Sequence, residues 1–340
     1  MKKICLFCVC VFSLISLYGF GSSLQPVEKE EMPEQKKDLH FKIWGEIYVW
    51  HVEENGLGFV YEEAKALVPG QGITGDLVVS KYNWQPGFRV CFGYDISPDF
   101  WAIEGQYANY NPNDKRVINS QEGEILRGTF PHPEGVLINQ AKSYLSLTCH
   151  FGDLLLKKKF QPGKQLDLFL IGGITGAWMC QNWQVHYFDA NAIDRCFKPK
   201  WHYKGGGIRL GTNIDYLLGK GFSLMLKGSF ASMMGNYDNR TYAYDTNMLT
   251  QERTVIANTH YDDFRIVSTW QVAFGPSWQW RFDNLFMKLF AGYEINTWYN
   301  LSEIHRQLFY EGEANTYALP YDVPGVVSTQ GATFGIYFDF

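Results

Sequence analysis

Residues 334–340 read FGIYFDF, which puts Phe334, Ile336, Phe338 and Phe340 on one side of an extended chain and Gly335, Tyr337 and Asp339 on the other. Side chains of a strand alternate between two faces, so the stretch reads as a strand with one apolar face. Terminal residues of a soluble domain ordinarily fray. A terminal stripe of this kind therefore needs something apolar to face, and the question is whether that is a protein core or lipid.

The same period-two pattern recurs upstream. HFKIWGEIYVW sets Phe41, Ile43, Ile47 and Val49 against Lys42, Glu46 and Tyr48; GFRVCFGYDI sets Phe88, Val90, Phe92, Tyr94 and Ile96 against Arg89, Cys91, Gly93 and Asp95. WAIEGQY sets Trp101, Ile103 and Tyr107 against Ala102, Glu104 and Gln106. AKSYLSLTCHF is read with Leu145, Leu147, Cys149 and Phe151 on the apolar face and Lys142, Tyr144 and His150 opposite. QLDLFLIGGITGAW aligns Leu166, Leu168, Leu170, Ile174 and Trp178. GIRLGTNIDY, FSLMLKGSF, TWQVAFGPSWQWRF and LFMKLFAGYEIN complete the set, with Ile208, Leu224, Phe274 and Leu289 among their apolar faces and Arg209, Lys227, Lys288 and Glu294 on the others. Helical periodicity is scarce.

Across these ten segments the apolar face carries no charged side chain. A soluble β-sandwich also alternates, but its second face meets water and is dense in Lys, Glu and Thr. Here that face is rich in Gly, Ala, Ser, Thr and Asn with isolated charges of both signs, as a packed or wet barrel interior requires. Aromatics make up 17% of the chain and charged residues 19%, yet mean hydropathy is slightly negative, so apolar groups are finely interleaved rather than gathered in blocks. The fold expected is all-β: a transmembrane antiparallel β-barrel of the Gram-negative outer membrane, with ten strands as a minimum and up to about fourteen. FGIYFDF then closes the sheet against the first strand, since an unpaired backbone group in hydrocarbon costs several kcal/mol.

Connections give the orientation. Short turns join several pairs of segments, with GDLLLKKKFQPGK (152–164) between the fourth and fifth, whereas 53–83, 111–137, 181–200, 236–262 and 300–326 are long. Short periplasmic turns and long external loops are the expected asymmetry. Tyr94, Trp101, Tyr216, Phe222, Trp278, Trp280, Phe338 and Phe340 cluster near the short-turn end, as an aromatic girdle does. Pro276 lacks a ladder donor and is expected at a bulge or rim.

Ahead of the barrel (39–340), residues 1–23 have the two lysines, apolar run and small residues of a secretory signal peptide, and 24–38 read as a polar periplasmic lead-in. Removal of Lys2 and Lys3 takes the formal charge from −5 to about −7, which argues against nucleic acid as a partner.

WQPGFRVCFGYDI, GGGIRLGTNIDYLLGKGFSLMLKGSF, LFAGYEINTWYN and FGIYFDF, in that order, resemble the pore-forming, major-outer-membrane-protein-like family of Legionella and chlamydia-related bacteria, over roughly residues 41–340. The resemblance implies an abundant porin-like outer-membrane barrel passing small solutes or ions. It brings no catalytic residues. A terminal aromatic such as Phe340 also resembles the signal read by the outer-membrane assembly machinery. Membrane lipid and solutes are the other partners expected, and a homo-oligomer is an open alternative.

The inward charges Glu46, Arg89, Glu104, Lys142, Arg209, Lys227, Lys288 and Glu294 are the pore-lining candidates, because charged rings set ion preference. The competing reading is that they pair and plug the lumen, since a barrel this narrow can be filled by side chains. A surface structural or adhesin barrel with a plugged lumen is thus the alternative function. An outer-membrane hydrolase is a remote one: His260, Asp262 and Asp263 could activate water, but no second acidic pair stands out and HPEG (132–135) has no serine. No enzyme activity, cofactor or metal is expected. Of seven cysteines, Cys5, Cys8 and Cys10 leave with the signal; Cys180 and Cys196 are a possible loop disulfide, with free or intermolecular thiols equally open. Cys91 is read as inward and Cys149 as lipid-facing.

Overall fold

The computed structural model describes residues 41–64, 75–96, 101–121, 124–130, 138–282, 285–312 and 315–340. The signal peptide, the lead-in and HPEG lie outside the described residues. The described residues form fourteen strands: β1 (Phe41–Glu54), β2 (Gly58–Ala64), β3 (Asp76–Val79), β4 (Gln85–Ile96), β5 (Trp101–Tyr110), β6 (Asn113–Asn119), β7 (Glu124–Gly128), β8 (Ile138–Gly163), β9 (Leu166–Asp189), β10 (Ile193–Gly219), β11 (Phe222–Asn247), β12 (Arg253–Phe282), β13 (Leu285–Gly312) and β14 (Asn315–Asp339).

Ten of them form a closed antiparallel ring in the order β1, β4, β5, β8, β9, β10, β11, β12, β13, β14 and back to β1. Each ring strand contains one of the ten alternating segments. The closing ladder runs from Lys42↔Asp339 to Glu54↔Val327, and the Phe340 amide donates to the Phe41 carbonyl at 3.0 Å. No edge is left within the ring, which is what hydrocarbon demands. β2, β3, β6 and β7 stand outside it: β2 pairs with β3 and β7, while β6 extends the β5 side of the β8 ladder.

The outward face fixes the membrane position. Ile47 (64% exposed), Phe92 (62%), Ile174 (60%) and Ile208 (60%) would be intolerable as a water-facing belt. On β9, β10, β11 and β12 this belt ends at one level, marked by Trp178, Lys204, Asn236 and Phe264, which stand in register. At the opposite end, near the short turns, Phe41 packs on Tyr94 (5.5 Å between centroids), Phe222 on Trp278 (4.9 Å) and Trp278 on Trp280 (4.2 Å). The β10–β11 turn there is compact because Gly219 and Gly221 take φ of 113° and 81°, open to glycine without strain.

Four expectations about turns and loops are corrected. Residues 152–164, 181–200, 236–262 and 300–326 are largely strand, and β9 passes to β10 through 190–192 alone. These segments looked like loops because their alternation carries polar rather than apolar residues: above the belt, Lys198, Lys200, His202 and Lys204 occupy the outward positions of β10 and meet water. β9, at 24 residues, rises about 80 Å along its own axis. A membrane-spanning strand needs only about 10 residues, and the part of β9 beyond Trp178, residues 179–189, projects on the external side.

Pro276 sits opposite Leu224 on β11, and the β12–β13 ladder lapses between Phe274↔Tyr293 and Ser277↔Phe290 without a change of register. The expectation that it lies at a bulge or rim is corrected, since the register does not shift there. The missing donor is absorbed as a two-position gap. Pro199 produces the same gap between Phe197↔Val185 and Lys200↔Asn182.

Candidate functional site: the barrel lumen

Alternation forces every second side chain of the ring inward, and at the height of the apolar belt those side chains are charged. Arg89 on β4 reaches Glu294 on β13 (Nη2 to Oε1, 2.9 Å) and also pairs with Glu46 on β1. Lys227 on β11 crosses to Glu46 at 2.8 Å, four strands around a ten-stranded ring and therefore nearly opposite. Arg209 on β10 pairs with Asp153 on β8 (3.2 Å) and donates to Ser229 and Gln271 at 2.9 Å; Gln271 in turn donates to Glu294 at 2.5 Å. Lys157 pairs with Glu104, and Lys288 with Asp215 at 2.8 Å.

Arg89, Arg209, Lys157, Lys227 and Lys288 thus balance Glu46, Glu104, Asp153, Asp215 and Glu294. Each of these groups is desolvated, and the desolvation is offset because each has an opposite charge within contact. Seven of the eight candidate lining residues lie in this layer. Lys142 does not: it stands on the outward parity of β8, with its Nζ 4.4 Å from the centroid of the Phe188 ring.

Above the charges the interior turns apolar. Tyr48 stacks on Trp50 at 3.7 Å between centroids, and the Arg89 guanidinium lies 5.8 Å from the Tyr48 ring and 6.0 Å from the Trp50 ring, where one layer meets the other. The tyrosine hydroxyls are satisfied by the wall: Tyr48 donates to the Asn109 carbonyl (2.9 Å) and Tyr110 to the Trp50 carbonyl (2.6 Å). Leu145, Leu147, Cys149, Met179, Trp183, Met233 and Trp298 continue this packing upward and are all buried. The assignment of Leu145, Leu147 and Cys149 to the lipid side is therefore corrected. Cys91 is inward as expected.

The excursion between β1 and β4 closes the external mouth. Leu57, Phe59, Val60 and Tyr82 join the same buried cluster as Trp50 and Trp183. The Phe59 carbonyl accepts from the Tyr187 hydroxyl, Gln181 donates to the Tyr82 oxygen at 2.8 Å, and Ser80 and Ser143 hydroxyls meet at 2.5 Å. Glu54 lies among these groups above the belt. Burial pushes its carboxyl up to about 7, although hydrogen bonds from Tyr82 and Gln181 oppose the shift.

His260, Asp262, Cys180 and Cys196 lie on the outward parity of the wall. His260 contacts Asp262 (2.9 Å) and Asp238 (3.2 Å), but Asp238 also holds Arg240 at 2.8 Å, so a cation already occupies part of this Asp/His cluster. Asp263 is separate and pairs with Arg265 at 3.0 Å. Cys180 and Cys196 are free thiols standing opposite His202 and His186 on the β9–β10 ladder. Six ladder positions separate them, about 20 Å. A disulfide needs Cα atoms within about 7 Å, so the expected bridge between them is corrected.

No curated protein matches the chain. Among solved structures, the outer membrane protease OmpT from Escherichia coli aligns at 11% identity and a TM-score of 0.48, over 90% of this chain and 99% of that one. The toluene transporter TbuX from Ralstonia pickettii aligns at 9% and 0.34, over 88% of each chain. Ail, the attachment invasion locus protein of Yersinia pestis, aligns at 10% and 0.22, over 89% of this chain and 99% of that one. The profile described as Legionella pneumophila major outer membrane protein precursor matches residues 32–339. With a lipid-facing ring and nearly the whole chain matched, the protein belongs to the Legionella major outer membrane protein family and is an outer-membrane β-barrel.

Proposed function

We propose that the protein is a surface structural barrel with a closed lumen, which holds its long strand extensions above the outer membrane. The observation carrying this reading is the wall-to-wall pairing at the belt, where Lys227 and Arg89 converge on Glu46 from opposite sides. Paired charges of balanced sign leave no selective ring for a solute to meet. The chain has no enzymatic role in this reading, reaches the membrane through its signal peptide, and contacts lipid and the assembly machinery.

A second reading, a porin-like pore for small solutes or ions, draws on the way the mouth is closed. β2 and β3 pair only with each other and β7, and β7 meets the ring through the single described pair Leu126↔Ile138. β2 and β3 hold to the wall by side-chain packing and hydrogen bonds from Tyr187, Gln181 and Ser143 rather than by a ladder, and in this reading the excursion swings away and leaves the polar layer as the path.

Single-channel recording of the refolded protein in planar bilayers tests both. A closed barrel gives a flat trace, and deleting residues 57–80 leaves it flat because the charged layer remains. Discrete steps in the intact protein would overturn the structural reading and favour the pore.

A further inference from the structure

The lipid face of the wall is not evenly covered. Across β4, β5, β8 and β9 it carries a groove of about 570 Å³. Gly105, Gly152 and Gly176 form its floor, and Gly152 and Gly176 stand directly opposite each other in the β8–β9 ladder. Phe92, Tyr107, Leu154 and Ile174, all exposed, rise around them. The groove crosses four neighbouring strands, about 14 Å. That is close to the length of a lipid chain, because one leaflet of the hydrocarbon core is about 15 Å deep.

At its external end the groove meets polar groups. The Tyr107 hydroxyl donates to His150 Nδ1 at 2.7 Å, and Asn109 Nδ2 donates to the same nitrogen at 3.1 Å and to the Cys149 carbonyl at 3.4 Å. His150 Nδ1 is thus an acceptor, so the neutral imidazole carries its proton on Nε2. That N–H has no partner among the described residues. It stands on the outward parity of β8, two residues beyond Gly152. Trp178 packs on the His150 ring at 6.0 Å between centroids, and opposite Trp178 is Lys204, the first outward cation above the belt on β10. Lys204 is in no ion pair among the described residues, and Asp238, the acid diagonal to it, is taken by Arg240 and His260.

We propose that this groove binds one phosphate-bearing lipid of the outer leaflet, with a chain laid on the glycine floor and the phosphate held by His150 Nε2–H and Lys204. A lipid is the occupant because the groove lies within the belt and its polar end lies at the belt's external boundary. Elsewhere a chain touches the wall on one side only; here side chains flank it as well, and each added atom pair contributes dispersion attraction. The head is chosen by charge. A preset donor and an unpaired cation two strands apart, about 10 Å, match an anionic oxygen that the long lysine side chain can reach. The site depends on the ring and its belt alone, so it stands whether the lumen is closed or conducts.

The full mature chain, refolded in detergent micelles, is titrated with dipalmitoyl phosphatidic acid or with dipalmitoylglycerol, which share their chains and differ by the phosphate. Retained lipid is counted by native mass spectrometry. One phosphatidic acid per chain is expected, held at least about tenfold more tightly than the diacylglycerol. Gly152→Leu fills the groove, and a Cβ there meets no atom within 4 Å, so the wall accepts it. It should weaken retention about tenfold. Gly228→Leu makes the same change at an equally open outward glycine of β11 outside the groove and should leave retention as it was. Lys204→Gln should abolish the preference for the phosphate without altering diacylglycerol retention. Equal retention of the two lipids by the parent protein, a comparison that needs no variant, would overturn the proposal, as would equal losses in the Gly152 and Gly228 variants. A dimer that Gly152→Leu dissociates would also overturn it, because the groove would then belong to a second copy of the chain.

Discussion

The two halves of the barrel wall are built from the same strands with opposite polarity. On β10, Ile208 and Leu210 face lipid while Arg209 points inward; a few residues above, Trp201 and Tyr203 are inside while Lys200, His202 and Lys204 are outside. β8 makes the same exchange. Leu145, Leu147 and Cys149 are inward, and then Leu154 and Leu156 are outward while Asp153 turns in. The backbone alternation does not skip. What changes is the solvent outside the wall, and each half buries the side chains that its own surroundings reject. The external half is an ordinary water-soluble barrel with an apolar core, continuous with a membrane barrel whose core is ionic.

The largest effect expected from this contrast lies in the ionic half. Glu46→Gln keeps the volume but strips Arg89 and Lys227 of a shared counter-charge, and a broken buried pair costs about 3–5 kcal/mol. Urea titration of the detergent-folded protein should show it as a large fall in midpoint. A change below about 1 kcal/mol would mean that water reaches this layer, as a pore requires.

A smaller effect separates the two outer faces. Leu210→Arg places a charge in the lipid belt and is expected to destabilise by roughly 2–4 kcal/mol, whereas Gln184→Arg, on the external part of neighbouring β9, should stay within about 0.5 kcal/mol. The pair is read in the same titration. Similar costs at both positions would put the belt boundary well above the level of Trp178.

This reversal also marks how far the sequence could be read. Ten alternating segments, the closing FGIYFDF strand and the inward set from Glu46 to Glu294 follow from period two and from the absence of charge on one face. Lys142, Leu145 and Cys149 depart from expectation for one physical reason: the apolar face of β8 does not meet lipid along the whole strand but changes sides near Phe151. Residues 181–200 and 236–262 looked like loops because a strand in water shows polar residues outward and Pro199 interrupts the pattern. The pairing of Lys227 with Glu46 had no signal at all, since the two positions are 181 residues apart and meet only through barrel closure.

The smallest effect concerns the apolar half, where Glu54 is a carboxyl without a cation in contact among the described residues. Its ordinary pKa of 4.5 is raised to about 7 in the folded protein, so between those values the folded state binds a proton that the unfolded state has released. Stability from this group is therefore full below about pH 4.5 and is lost as pH rises through 7. Glu54→Gln mimics the protonated form and keeps the Tyr82 and Gln181 partners within reach. At pH 8 the variant should be more stable than the parent by roughly 1–3 kcal/mol, and at pH 4.5 the two should coincide. Thermal unfolding followed by gel mobility across that range reads the difference. A difference that does not vary with pH would mean that Glu54 is already hydrated and that the mouth is open to water, which would erase the distinction between the two halves at its upper end.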